Sequence, residues 1–339
     1  MPTKSNPSRR GGLLRVAGAL LAALLWAAGS LYPQGRPAQR PKAGEAEAGA
    51  KSGRKPSFGV DVNLVIMNTA VVDPQGRFIN GLGKEDFAVY EDRVLQKIES
   101  FKQEDIPISL GIVMDTSGSM KRKIQAVGQA ALLLVQSSNP EDEIFIVTFN
   151  TDVELLEDYT SDLDDLKEAL DNVTVGGGTA LYDAVFLGVE KAQKGRKLKK
   201  AVVLISDGED RDSRYKLEEV LDKIKEADVQ VHAIGLLDPE EKPGLFGGIF
   251  NKSRQKSARQ VLEKIAEETG GKAIFPQDVS QVNEIIKSIA HELRNQYSIG
   301  YLSSNDRKDG TWRAVRVTLT RPDAKHKVRT RAGYYAPKQ

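Results

Sequence analysis

The chain of 339 residues carries 40% hydrophobic and 28% charged residues and a formal net charge of +2. That composition supports a sizeable core and excludes wholesale disorder. The near-neutral balance excludes the dense basic face that nucleic acid demands. Cysteine is absent, which removes disulfides, thiolate metal sites and cysteine nucleophiles together.

Residues 1–30 follow the order of a secretory signal. Arg9, Arg10 and Arg15 precede an apolar run over 16–28, and Ala27, Ala28, Gly29 and Ser30 offer a small-residue cleavage site. The alternative is an uncleaved inner-membrane anchor over 13–31, although the run falls short of the ~20 apolar residues that span a bilayer comfortably. Residues 31–57 are rich in Pro, Gly, Ala, Lys and Arg with no apolar period, and read as a tether. The predicted location is extracytoplasmic: periplasmic, secreted or at the cell surface. Membrane attachment enters only through the N-terminal segment.

Residues 58–105 read as β-rich. Val60, Val62, Leu64 and Ile66 lie two apart, as on one strand face, and Asp73-Pro74-Gln75-Gly76 marks a turn. Phe87, Val89, Ile98 and Phe101 suggest further short strands. The middle, residues 106–295, changes character. The apolar run at 108–114 predicts a strand buried on both faces, and 144–149, 201–205 and 229–236 read as further strands. Between them come helical spacings: Ile124, Val127, Ala131, Leu134; then Leu163, Leu166, Leu170; then Ala180, Ala184, Leu187, Ala192; then Leu217, Val220, Leu221, Ile224. A helix over 258–269, a short strand at 272–275 and a helix over 282–293 close the series. The alternation predicts an α/β fold with a doubly wound, mostly parallel sheet covered by helices on both faces.

Residues 296–339 are β-rich again. Tyr297, Ile299 and Tyr301 alternate, as do Val315, Val317 and Leu319. Asp309-Gly310 and Pro322-Asp323 mark turns, and Val328 opens a last strand. Each flank alone is too small to bury a sheet face. The two flanks are therefore expected to form one smaller β-sandwich, with the α/β domain inserted in it.

In open α/β sheets, ligands bind beyond the carboxyl ends of the strands. Asp115-Thr116-Ser117-Gly118-Ser119 follows the first central strand, and Ser206-Asp207-Gly208 follows the strand at 201–205. Gly176-Gly177-Gly178-Thr179 opens the helix at Ala180. Asp115 and Asp207 supply two carboxylates; Ser117, Ser119 and Thr179 supply neutral hydroxyls. This all-oxygen set suits Mg²⁺, with Mn²⁺ and Ca²⁺ as alternatives, over zinc or copper. The bland reading of the first loop is a turn and a helix N-cap, and it does not account for three oxygen-bearing loops in this order.

At these residues the chain resembles the von Willebrand factor type A family. Its metal-ion-dependent adhesion site joins an Asp-x-Ser-x-Ser loop, a Thr and a further Asp, matched by Asp115, Ser117, Ser119, Thr179 and Asp207. Asp309-Gly310-Thr311-Trp312-Arg313 and Arg331-Ala332-Gly333-Tyr334-Tyr335 are similar to secreted members described mainly from acidobacteria. The resemblance implies adhesion or complex assembly. The partner expected is a protein presenting an Asp or Glu carboxylate, because protein atoms and waters leave one place on a six-coordinate cation open, and no enzymatic activity is expected. The runner-up functions are a metal-stabilised structural envelope protein and a metal-dependent hydrolase. No nucleophile elbow, phosphate loop or dinucleotide loop is correctly placed for the latter.

Residues 238–255 read as an apolar loop on the metal side. Leu245, Phe246 and Phe250 form a partner contact there, or tuck down as a local lid. Glu209, Asp210 and Asp212 read as solvated or helix-terminal acids, and the lysines over 194–200 as a solvated turn. His232, His291 and His326 sit on different elements and take no role. Trp312 and Tyr334 read as packing residues of the sandwich.

Overall fold

The computed structural model describes residues 64–103, 105–237, 248–321 and 325–338. The chain divides into two units, Met1–Phe58 and Gly59–Gln339, and the architecture below is that of the second. The expected signal or anchor, the tether, Val60, Val62, Leu245, Phe246 and the Pro322-Asp323 turn lie outside the described residues.

The N-terminal flank forms β1 (Leu64–Val72), β2 (Phe87–Glu91), β3 (Val94–Gln96) and β4 (Ile98–Lys102). In β1 the buried face is Val65, Met67, Thr69 and Val71, whereas Leu64 and Ile66 are exposed at 46% and 41%. This reverses the face expected from the alternation. Positions 64–67 are all apolar, so periodicity does not choose a side. Pairing does: Val65 lies opposite Tyr301 and Met67 opposite Ile299 on the returning C-terminal strand.

The middle follows as β5 (Ile108–Asp115), α1 (Ile124–Gln136), β6 (Glu143–Phe149), β7 (Val153–Thr160), α2 (Leu163–Asp171), α3 (Leu181–Gln193), β8 (Lys199–Ser206), α4 (Leu217–Glu226), β9 (Gln230–Gly235), α5 (Gly248–Glu268), β10 (Ala273–Ile274) and α6 (Val282–Asn295). These strands form one sheet in the order β10-β9-β8-β5-β6-β7. Every pairing is parallel except β6 with β7. Ile112 and Met114 of β5 pack with α1, α2 and α6 on one face; Val113, with Phe145 and Val147, packs with α3, α4 and α5 on the other. The doubly wound expectation therefore holds.

Three local readings are corrected. β7 leaves no strand signal in the sequence, because Glu154, Glu157 and Asp158 break the apolar run, as suits an exposed edge strand. α5 starts at Gly248, so Phe250 lies within a helix rather than in a loop. Leu187 in α3 is 40% exposed, and the helix buries Leu181, Ala184, Val185, Gly188, Val189 and Ala192 instead.

The C-terminal flank adds β11 (Tyr297–Leu302), β12 (Trp312–Leu319), β13 (Lys327–Arg329) and β14 (Gly333–Tyr335), the last a strand beyond the one expected at Val328. The flanks interleave in two sheets, β13-β1-β11-β4 and β14-β12-β2-β3. Each sheet draws two strands from either end of the chain. Met67, Phe87, Val89, Tyr297, Ile299, Tyr301 and Val317 share the core between them. Phe87 and Tyr297 rings sit 5.1 Å apart. Buried Glu91 accepts hydrogen bonds from Tyr301 (2.8 Å), Tyr334 (3.0 Å) and Ser303 (2.5 Å), so the charge inside the sandwich is satisfied.

Buried charges join the sandwich to the α/β body. Glu292 of α6 is 1% exposed and bonds Arg329 of β13 at 2.6 Å and Lys272 at 3.2 Å. Lys199, expected in a solvated turn, is 3% exposed, and its Nζ donates to Leu293 O at the end of α6, 2.6 Å away. Burial pulls its pKa down to about 8. An ammonium against the last carbonyls of a helix suits the helix dipole.

Candidate metal centre

β5 and β8 are neighbours at the centre of the sheet. From β5 the chain moves outward to β6 and β7; from β8 it moves the opposite way to β9 and β10. Their carboxyl ends thus flank the topological switch point, where an open sheet leaves a crevice. Asp115 is the last residue of β5, and Asp207 directly follows β8.

The turn after β5 is fixed by its own carboxylate. Asp115 Oδ1 accepts the Ser117 N–H at 2.9 Å, while Ser206 Oγ donates to Asp115 Oδ2 at 2.7 Å. Ser117 and Ser119 hydroxyls lie 3.0 Å apart. Thr116 N and Oγ1 both donate to Phe149 O, tying the turn to the end of β6. Asp115, Ser117, Thr179 and Asp207 are buried, and Ser119 is exposed at the mouth.

The glycine loop closes over this turn. Gly118 N donates to Gly177 O at 3.2 Å, and Gly176 N to Thr116 O at 2.9 Å. Gly177 has φ +79°, which only glycine adopts readily, and a Cβ on Gly178 would stand 1.8 Å from Asp212 Oδ2. Thr179 is clamped to the third loop: its N–H donates to Asp212 Oδ2 at 2.7 Å, and its carbonyl accepts from Arg211 N and Asp212 N. The three loops are therefore hydrogen-bonded to one another, and all five expected residues meet at one rim.

Desolvation is the main influence raising the Asp115 pKa; the Ser117 and Ser206 hydrogen bonds oppose it, and the Asp207 charge adds to it. Burial beside the Asp207 charge thus disfavours the ionised form of Asp115. A hard cation relieves that cost, and five oxygens with no nitrogen or sulfur suit one. Among the described residues no three His, Asp or Glu side chains converge, so a cation held here would need hydroxyls as well as carboxylates.

Several contributors went unrecognised in the sequence. Ser206 orients Asp115, and its only local signal is adjacency to Asp207. Asp212 positions Thr179. Asp210 Oδ1 accepts from Tyr182 N at 3.2 Å and from Ser213 Oγ at 2.5 Å, and so caps α3 from a distant loop. Asp210 is thus a helix-terminal acid, but for α3, 28 residues earlier in the chain, rather than for the helix that follows it. Glu209 takes Arg211 at 2.5 Å and also Arg254 of α5. Of the expected partner-contact residues, Phe250 lies on α5, and Leu245 and Phe246 lie outside the described residues.

The sequence model of the von Willebrand factor type A domain family matches residues 110–288. An uncharacterised protein of Synechocystis sp. is 25% identical over 198 residues, covering 56% of this chain and 42% of the relative. Mouse inter-alpha-trypsin inhibitor heavy chain H3 is 24% identical over 203 residues, covering 56% of this chain and 21% of the relative. The chain thus spans less than half the length of either. A solved von Willebrand factor type A structure from Catenulispora acidiphila superposes with a TM-score of 0.48 at 13% identity, over 83% of this chain and 76% of that one. An aerotolerance-related membrane protein from Bacteroides fragilis gives 0.43 at 20% identity, over 55% and 98%.

Proposed function

Because the chain belongs to the von Willebrand factor type A domain family, we propose that it is a protein-binding module whose grip on its partner depends on one divalent cation. Asp115, Ser117, Ser119, Thr179 and Asp207 would hold Mg²⁺, or alternatively Mn²⁺ or Ca²⁺. The bound ion supplies Lewis acidity toward a partner Asp or Glu carboxylate. The protein's own residues orient the donors: Ser206 fixes Asp115, and Asp212 fixes Thr179. The observation that carries this reading is the hydrogen-bonded closure of three separate loops on one rim, Gly118 to Gly177, Thr179 to Asp212 and Ser206 to Asp115.

The proposed role is adhesion or assembly outside the cytoplasm, supported by the signal-like order of residues 1–30. The alternative is attachment to the inner membrane through 13–31. Among the described residues no helix is long and apolar enough to cross a membrane. We read the chain as non-enzymatic.

Calorimetric titration with Mn²⁺ tests the metal. Wild type should bind, and Asp115→Ala and Thr179→Ala should lose affinity by tenfold or more, on the order seen when metal shells are disturbed. Circular dichroism checks that both variants fold. Equal affinity in folded variants and wild type would sink the assignment. The burial of Asp115 favours one second reading, in which the ion only stabilises the fold. In that case EDTA lowers the melting temperature but releases no protein captured from an envelope extract.

A further inference from the structure

Three basic residues in succession, Lys121, Arg122 and Lys123, follow the turn that carries Ser117 and Ser119. The first two are exposed, whereas Lys123 is 9% exposed. Fully buried Met120 anchors the 3-10 turn Gly118–Arg122, and Lys123 N donates to Met120 O at 2.8 Å where α1 begins. An ammonium is costly to bury unless it is hydrogen-bonded. The Lys123 Nζ donates to Leu236 O, 2.6 Å away, directly after β9.

That bond closes a ring. Leu236 N donates to Ser206 O at 2.8 Å, and Ser206 Oγ donates to Asp115 Oδ2 at 2.7 Å. Asp115 Oδ1 accepts from Ser117 N at 2.9 Å, and Ser117 O accepts from Met120 N at 3.0 Å. Met120 O accepts in turn from Lys123 N. The ring therefore passes through the ends of β5, β8 and β9 and returns through the lysine side chain. Toward the other side of the sheet, Thr116 ties the same turn to Phe149 at the end of β6. The turn is braced from both directions.

Bracing of this kind matters to a bound ion. A 3-10 turn has poor hydrogen-bond geometry of its own, and Mg²⁺ demands near-ideal octahedral placement of its oxygens. Donors must be held within about 0.5 Å of that placement by the groups behind them. We propose that Lys123 is a positioning residue of the metal centre. Its ammonium holds the Ser117–Ser119 turn to the end of β9 and joins Asp115, Ser206 and the two hydroxyls into one unit. The protonated amine has no lone pair to offer the ion, so it acts only through the ligands. The proposal rests on the metal reading above and adds a residue that the ligand set does not contain.

The full chain has no cysteine, so Lys123→Cys provides a single site for alkylation. Treatment with 2-bromoethylamine in denaturant, followed by refolding, rebuilds an ammonium of nearly the same reach. Wild type is carried through the same cycle. In calorimetric titration with Mn²⁺, Lys123→Cys should bind about tenfold or more weakly, and alkylation should restore the affinity. Lys123→Met, which keeps the apolar stem, should lose as much and serves where Lys123→Cys does not fold. Lys199→Met removes another buried ammonium, from Leu293 O, and should leave Mn²⁺ affinity unchanged; this separates positioning from a general loss of stability. Ser206→Ala combined with Lys123→Met should lose no more than the larger single loss, because both open the same ring. Wild-type affinity in the folded Lys123 variants, failure of alkylation to restore binding, or losses that multiply in the double variant would overturn the positioning role. A wild type that does not bind Mn²⁺ would overturn the metal reading itself.

Discussion

Ser206 is 0% exposed, and its one hydroxyl serves two loops. It donates to Asp115 Oδ2 and accepts from Gly208 N at 3.0 Å. A carboxylate at the end of a strand has rotameric freedom, and this bond removes it. Ser206→Ala is therefore expected to weaken Mn²⁺ binding by about 10–100-fold, the scale of losses when a ligand's own hydrogen-bond partner is removed. Calorimetry on the folded variant checks this, and unchanged affinity would show that Asp115 is oriented without it. Asp115, Ser117, Ser119, Thr179 and Asp207 were legible in the sequence because each follows or opens a recognisable element. Ser206 and Asp212 were not, because hydrogen bonds between residues 91 and 33 positions apart leave no periodic trace.

Among the elements, α3 shows how a helix start is satisfied from elsewhere. Its N-cap position is Ala180, which has no side-chain acceptor. Asp210 supplies one to Tyr182 N, and Ser213 Oγ accepts from Asp183 N at 3.1 Å. In return Asp183 Oδ1 accepts from Arg214 N and Tyr215 N. The loop after β8 and the start of α3 thus cap each other, and this holds Thr179 in place. Asp210→Ala is expected to cost about 1 kcal/mol, as loss of a cap does. Asp210→Asn, which keeps the acceptor oxygen, should cost less. Thermal denaturation compares the two; identical melting temperatures for wild type and the Ala variant would remove the capping role. The sequence located α3 but not this capping, since an apolar period marks the buried face and says nothing of what lies beyond the first turn.

At the scale of the whole molecule, the junction between α/β body and sandwich sets a pH limit. His232 on β9 is fully buried, and among the described residues neither ring nitrogen has a hydrogen-bond partner. Desolvation pulls its pKa down to about 3; the Glu292 charge opposes that, and Arg329 and Lys272 add to it. Between pH 6.5, its ordinary value, and about 3, the unfolded chain binds a proton that the folded chain refuses. Stability from this residue is therefore intact above 6.5 and is lost progressively as the pH falls toward 3. Glu292 lies below the usual carboxylate range despite its burial, because the charges of Arg329 and Lys272 and the Arg329 hydrogen bond favour its ionised form. It therefore adds to the loss on acidification. His232→Leu should flatten the acid limb of a melting-temperature profile while costing little at neutral pH, where an unpartnered polar ring is replaced by an apolar one. An unaltered acid limb would move the cause to other groups.

Period and punctuation in the chain alone determined two kinds of sheet, the alternation of strand and helix in the middle, and the three loops that carry oxygen. Those features depend on which residues need burial and on where the backbone turns, and both are local. The tertiary structure alone decided which face of β1 turns inward, because four successive apolar residues leave that choice to the pairing with β11. It also decided that Lys199 is buried, that Asp210 serves α3, and that Ser206 reaches Asp115. Each of these depends on a partner brought close by the winding of the sheet, and distance along the chain carries no record of it.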